Sequence, residues 1–328
     1  PVDEASSTYQ IVARHSDMAM DLARWDGADT ATIQQFDASW PPKENQQWQL
    51  IPSMSVSAHG SAEILKDVRE IGAPGSPGYL AVWGQDTFVV IAGTHGKPPA
   101  PAPVVVAGTW EQGRVVAFSH DGYLGKAAAE QADTGRLVEN ALVWASRKPS
   151  PRVAYLGHEP PARLNAQALP RKDLTPTLVG LDALILSLSD LSDAEIDAVS
   201  TFVRGGGGLL AALTGWGWLW LQGAGGRPMS SNALNRLVAP AGIGWTDGMA
   251  EKTTKSGYAA SPVPPLAHGL HAFEALLATE TTNAKAAHTD AELQQAADAA
   301  QLPSDSCPRM RRRYGPASRR SSPSGRRH

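Results

Sequence analysis

The chain has one cysteine in 328 residues, Cys307, so an intrachain disulfide is excluded and no bridge reports on redox compartment. No run of about 18 apolar residues occurs, which leaves no helix for a membrane span. A zinc peptidase would need His-Glu-x-x-His, and the sequence has none. His268-Gly-Leu-His271 has the wrong spacing and no Glu between the two histidines. Gly205–Gly208 lacks the Gly-Lys-Ser/Thr ending of a phosphate loop and follows a helical pattern where such a loop precedes one. The chain begins at Pro1 with no visible signal peptide, although a start without Met could have lost one. Acidic groups are missing from residues 309–328, which hold eight arginines. The rest keeps 21 of the 29 Lys and Arg against 32 Asp and Glu, a net charge of −11, which argues against a general nucleic-acid surface.

What is present suffices for one or two globular domains, with 42% hydrophobic residues and an unusual balance of ten Trp to five Phe. The first informative stretch runs from Tyr9 to Leu50. It holds alternating runs (Tyr9/Ile11/Ala13, Met18/Met20/Leu22), then Ile33-Gln-Gln-Phe36 and Asn45-Gln-Gln-Trp-Gln-Leu50. Alternation of this kind is what any half-buried strand shows, and Trp48 reads as core. The same stretch offers Asp21 as an acceptor, Gln34, Asn45 and Gln46 as amides, and Phe36 as an aromatic platform, the set that a sugar's paired hydroxyls and apolar face require. It resembles one repeat of a ricin-type β-trefoil lectin. The resemblance implies a partial all-β segment over 1–52 in which Asp21 accepts from hydroxyls, Phe36 stacks, and Asn45 and Gln46 complete the rim. No second Gln-x-Trp step follows downstream, so the repeat reads as a fragment of a lectin domain.

Beyond Met54 the pattern changes. Ile64, Leu65, Val68 and Ile71 predict a helix over 61–71, ended by Gly72-Ala-Pro-Gly-Ser-Pro-Gly78. Short strands are predicted at Leu80–Trp83, Phe88–Ile91, Val104–Ala107 and Arg114–Phe118, with Lys97–Pro103 as an extended connector. A helix follows over Lys126–Ser146. Strands at Val153–Leu156, Leu181–Leu188 and Leu209–Leu213 bracket a helix that opens on the capping box Ser192-Asp-Ala-Glu195 and stops at Gly205–Gly208. Near-continuous apolar strands alternating with helices imply a parallel sheet covered on both faces, so 57–248 is read as an α/β domain. Residues 249–302 form an Ala-rich segment with a helix at Asp290–Ala300. The Arg/Ser/Pro composition of 303–328 builds no core and reads as a disordered basic tail, whether a polyanion-binding arm or the product of a shifted frame.

Gly113-Arg-Val-Val-Ala-Phe-Ser-His-Asp-Gly-Tyr-Leu124 and Phe202-Val-Arg-Gly-Gly-Gly-Gly-Leu-Leu210, followed by Trp216-Gly-Trp218, resemble the amidotransferase-like domain that precedes the catalytic module in enhancin-like (M60-type) metallopeptidases and in their channel-associated relatives. The only cysteine lies in the tail, so no amidotransferase nucleophile is available. His120-Asp121 after the Val115–Phe118 strand is the best polar pair at a strand end, and Asp121-Gly122 is also a good turn.

These readings combine into an α/β fold with a parallel-sheet, amidotransferase-like domain preceded by a partial β-trefoil segment. The function expected is carbohydrate binding by a non-catalytic accessory region of a secreted, bacterial protein. Glycans or glycoproteins are its partners, with no catalytic residue, metal or cofactor assigned. The resemblance implies an extracellular setting. Two alternatives stay open: a hydrolase using His120, Asp121 and a nearby serine, or a purely structural interaction module. A serine hydroxyl within reach of His120 would favour the hydrolase, whereas a His120 that caps a loop would end it.

Overall fold

The computed structural model describes residues 8–13, 16–23, 32–49, 58–157, 163–172, 174–223 and 226–282. The basic tail with Cys307 and the expected helix at Asp290–Ala300 lie outside them. The chain divides into two compact units, Pro1–Met54 and Ser55–His328.

In the first unit, β1 (Thr8–Tyr9) pairs antiparallel with β5 (Trp48–Gln49). β2 (Val12–Ala13), β3 (Met18–Leu22) and β4 (Ile33–Asp37) form a three-stranded antiparallel sheet. A 3-10 turn over Glu44–Gln46 precedes β5. β3 alternates with period two, but with the faces reversed from the apolar spacing: Ala19 and Asp21 are buried, and Met18, Met20 and Leu22 are half-buried. Two small sheets are what this segment forms, and no trefoil barrel is present among the described residues.

The second unit is a mixed α/β layer structure. It opens with α1 (Ala58–Ile64), β6 (Glu70–Gly72), β7 (Gly78–Val82), β8 (Thr87–His95), β9 (Ala100–Trp110) and β10 (Gly113–Phe118). Then come α2 (Lys126–Ala129), α3 (Thr134–Ser146), β11 (Val153–Leu156), β12 (Ala166–Ala168), α4 (Leu174–Leu178), β13 (Ala183–Leu186) and α5 (Asp193–Arg204). Last are β14 (Gly208–Ala212), α6 (Gly215–Leu221), α7 (Ala233–Val238), β15 (Ile243–Met249), β16 (Gly257–Ala259) and α8 (Gly269–Thr282).

The main sheet runs β12-β11-β13-β14-β10-β9-β8, parallel from β12 to β10 and antiparallel from β10 to β8. Its central strands, Ala-Leu-Ile-Leu and Gly-Leu-Leu-Ala-Ala, are buried at every position, because helices cover both faces. Leu184, Leu186, Leu209 and Ala211 point to one core with Ile196, Val199 and Val203 of α5 and Leu234 and Leu237 of α7. Ile185, Leu210 and Ala212 point to the other with Leu137, Ala141 and Trp144 of α3. The helix α5 begins where the capping box places it: Glu195 N–H donates to Ser192 Oγ at 3.3 Å, and Ser192 N–H donates to the Glu195 carboxylate at 2.7 Å.

Three local expectations change. The helix expected over 61–71 ends at Ile64, because Asp67 is left-handed (φ 57°) and Ile71 joins a strand; the apolar spacing is satisfied by helix, turn and strand together. The helix expected over Lys126–Ser146 is two helices, broken where Ala132 takes φ 48° and bridges to Ile71. The proline-rich connector is strand from Ala100 onward, with Pro101 opposite Thr94 and Pro103 opposite Ala92. Prolines are accommodated there because this half of β9 has a paired neighbour on only one side, where a missing N–H breaks no ladder. Residues past Met249 continue the same unit: β16 pairs with β6, and Tyr258 is buried.

Candidate functional site

Open α/β sheets place ligand sites at the carboxyl ends of their parallel strands. Here β10 and β14 are paired with Phe118 opposite Ala212, which brings Ser119-His120-Asp121 beside Leu213-Thr214-Gly215. The Asp121 carboxylate accepts from the Thr214 hydroxyl at 2.5 Å and lies 3.4 Å from His120 Nδ1. His120 Nδ1 accepts from Gly122 N–H at 2.9 Å, capping the 3-10 turn Asp121–Leu124. A nitrogen that accepts cannot carry the proton, so the imidazole is neutral with its hydrogen on Nε2. Burial pushes the His120 pKa below its ordinary value, and the Asp121 charge only partly opposes this.

The loop 73–77 lies over this strand end. Gly75 adopts φ 56°, and a side chain there would come within 3.2 Å of His120 Nε2. Trp216 Nε1 donates to Ser76 O at 2.8 Å, and Gly78 N–H donates to Ser119 O at 3.1 Å. Trp245 Nε1 donates to Phe118 O at 2.8 Å. α6 approaches β15 so closely that a side chain at Gly215 would sit 2.2 Å from Thr246 O. The polar pair is thus committed to turn geometry. No serine hydroxyl hydrogen-bonds His120 among the described residues; Ser119 Oγ is buried without a partner. His120 caps a turn, the arrangement that ends the hydrolase alternative.

The same strand end carries what residue-type reasoning missed. Along Gly-Trp-Gly-Trp-Leu-Trp-Leu, Trp218 is buried while Trp220 and Leu221 are 75% and 76% exposed; Met249 at the end of β15 is 57% exposed. The available signal was the absence of any charge from Thr214 to Gly226.

Elsewhere in this unit, a cleft of about 310 Å³ opens between the β8–β9 hairpin and residues 261–264, lined by Thr94, Pro99, Pro101, Thr253, Pro262 and Pro264 among others, none of them charged. His268 is buried. Its Nδ1 accepts from Leu270 N–H at 3.2 Å, and its Nε2 lies 3.0 Å from both Gly84 O and Thr87 Oγ1. Burial, with His271 beside it, pushes its pKa down to about 4. Of the pair His268-Gly-Leu-His271, His268 sits between the 3-10 turn Pro265–Ala267 and α8, and His271 lies in the first turn of α8. No group of three or more His, Cys, Asp or Glu side chains able to hold a metal ion occurs among the described residues.

In the first unit, four of the five residues expected at a sugar site do come together. Asp21 Oδ1 accepts from Gln34 Nε2 at 3.1 Å, and Oδ2 accepts from Asn45 Nδ2 at 2.8 Å and Gln46 Nε2 at 3.1 Å. Gln46 Oε1 in turn accepts from Ser39 N–H, Ser39 Oγ and Gln10 Nε2. Asp21 and Gln46 are buried, so the carboxylate's acceptor capacity goes to the protein's own amides. Phe36 shares that face of the sheet, opposite Ala19, but is 50% exposed and outside the network.

Comparison with known proteins corrects the functional expectation. A family model described as "TRPM8, N-terminal domain" matches residues 42–263. A TRPM8 channel-associated factor homolog of Xenopus laevis is 31% identical over 109 residues, 33% of this chain and 11% of that protein. A Danio rerio homolog is 29% identical over 140 residues, 41% and 14%. TRPM8 channel-associated factor 2 of Bos taurus is 29% identical over 178 residues, 52% and 18%. The chain thus spans less than a fifth of these relatives' length. A solved IMPa metallopeptidase from Pseudomonas aeruginosa is similar at a TM-score of 0.40 with 13% identity, over 58% of this chain and 21% of that one, too distant to carry a functional inference. The matches overturn the reading as a bacterial ricin-type lectin joined to an enhancin-like peptidase region, and with it the carbohydrate-binding function and the glycan or glycoprotein partners. The sugar-binding set misled because a carboxylate among amides serves equally well as an internal hydrogen-bond hub. The chain belongs to the TRPM8 N-terminal domain family.

Proposed function

We propose that this chain is an accessory domain that associates with a membrane channel of the TRPM8 kind and regulates it through protein contacts. Two things support the reading: the family, whose matched relatives are named as channel-associated factors, and the commitment of His120 and Asp121 to the backbone and Thr214. The second observation carries the choice of a binding role over a chemical one, since the polar pair at the strand ends has its main bonds inside the fold.

The test is binding of the full chain to detergent-solubilised TRPM8, immobilised and read by biolayer interferometry. The expected result is a saturable, reversible signal with an affinity in the micromolar range, about 1–10 μM, as for transient regulatory contacts. No saturable signal up to roughly 100 μM, a binding energy below about 5.5 kcal/mol, would sink the reading.

A further inference from the structure

We propose that Ser150 is a site of phosphorylation by a proline-directed serine kinase, with the phosphate held at the surface by Lys148 and Arg152. Such a modification is independent of channel association. Ser150 lies in Arg147-Lys-Pro-Ser-Pro-Arg152, the connection from α3 to β11. Residues 147–150 and 152 are exposed, and none of 148–152 belongs to a helix or strand. Lys148 and Ser150 each precede a proline, which disfavours the helical region for both, and neither proline brings an N–H that needs a partner. A kinase with an apolar pocket for the residue after its target can take this segment as it stands. The Ser150 hydroxyl makes no hydrogen bond among the described residues, so no contact has to break before it reacts. Three other Ser-Pro or Thr-Pro pairs fall among the described residues, at Ser76, Thr175 and Ser261, and none has a Lys or Arg within two positions. Ser150 has one on each side.

The surroundings fit the product. Lys148 Nζ donates to Asp182 Oδ1 at 2.7 Å, and Arg152 Nε lies 3.6 Å from Asp182 Oδ2. Both cations are more than half exposed while the Asp182 side chain is 9% exposed, so the cations keep donors turned to solvent. Arg147, left-handed at the end of α3, donates to Gln112 O. Three cations against one carboxylate leave this connection at +2. The other charges around it balance: Glu111 pairs with Arg204, and Arg114, over the Trp144 ring, has Glu63 as well as Arg147 beside it. A phosphoserine brings about −1.5 to −2 at neutral pH, close to what neutralises the cluster. Asp182 also accepts from Arg152 N–H at 2.7 Å, so phosphate can draw the two side chains outward without releasing β11 from β13. In the transfer, Ser150 Oγ bonds the γ-phosphorus of ATP as the bond from that phosphorus to the β–γ bridging oxygen breaks. The oxygen leaves with ADP, and the hydroxyl proton passes to the kinase's aspartate.

The test incubates the full chain carrying Ser322→Ala, which removes the Ser-Pro pair of the tail, with a mitogen-activated protein kinase and magnesium ATP. Peptide mass mapping is expected to place one phosphate on Ser150, and Pro151→Ala should slow its incorporation at least about tenfold. Phosphorus NMR then titrates the product. Beside Lys148 and Arg152 the second phosphate pKa should fall from about 6 to roughly 5.5 or lower, and Lys148→Gln with Arg152→Gln should return it toward 6. Since that pair of changes also strips Asp182 of its cations, a second readout uses the unaltered side chains: about 1 M salt should return the pKa in the same way. No phosphate on Ser150 while the kinase modifies a control Ser-Pro peptide, incorporation only after thermal unfolding, or a phosphate pKa that stays near 6 overturns the inference. Neither readout involves the channel. Failure here leaves the accessory role standing, and absence of channel binding leaves Ser150 phosphorylation standing.

Discussion

The two units solve burial in opposite ways. Within the first, the buried side chains include Asp21 and Gln46, tied into a chain of amides that ends at Ser39 and Gln10, with Ala19 as their small apolar neighbour. Within the second, two continuous apolar clusters flank a seven-stranded sheet, and the few buried polar groups are local fasteners such as Asn235, which ties Met229 and Trp245 together. An apolar core tolerates the loss of one contact by degrees. A polar hub is stable only while every member is satisfied, since an orphaned buried group carries its full desolvation penalty.

The largest break should come at Trp245, fully buried with its indole N–H on Phe118 O. Trp245→Ala is expected to cost about 3–5 kcal/mol in urea unfolding of the second unit. Asp21→Asn swaps the carboxylate for a group with one acceptor oxygen and two donors facing three amide donors. It should cost about 2–3 kcal/mol, read as lost amide-exchange protection in β3 and β4; unchanged protection would mean that the network is not what holds this unit. His268 gives the second unit a pH dependence. Its folded pKa of about 4 lies below the unfolded value near 6.5, so the unfolded chain binds the extra proton between these limits. Stability should be full above about pH 6.5 and decline by on the order of 2 kcal/mol as pH falls toward 4, and His268→Gln should flatten that slope. Ser192→Ala removes one side of a capping box at an exposed helix start and should cost only about 1 kcal/mol in the same unfolding assay.

The comparison also explains what could be read from the residues. Continuous apolar runs such as Ala183–Leu186 and Gly208–Ala212 announce strands covered on both faces, and Ser192 with Glu195 announces a helix start. Both signals are local. The antiparallel returns of β15 to β7 and β16 to β6 are not, and nothing in Gly257-Tyr-Ala259 marks it as the partner of Glu70-Ile-Gly72. Trp218 and Trp220 are identical in type and two positions apart, yet one is buried and the other open, because only the packed neighbours of α6 decide which face is covered. At Asp21, composition correctly gathered Gln34, Asn45 and Gln46. It could not say whether the acceptors they surround were turned toward a ligand or toward one another.

The pairing of β7 with β15 sets an order of events during synthesis. Gly78–Val82 leaves the ribosome about 160 residues before Ile243–Met249, its only strand partner among the described residues. At bacterial to eukaryotic elongation rates that is an interval on the order of ten seconds or more, during which an apolar strand waits unpaired. The closing of this unit is therefore gated by translation of its far end, and a ribosome stalled before β15 would hold a nascent chain with an open β7 edge, the kind of surface that chaperones engage.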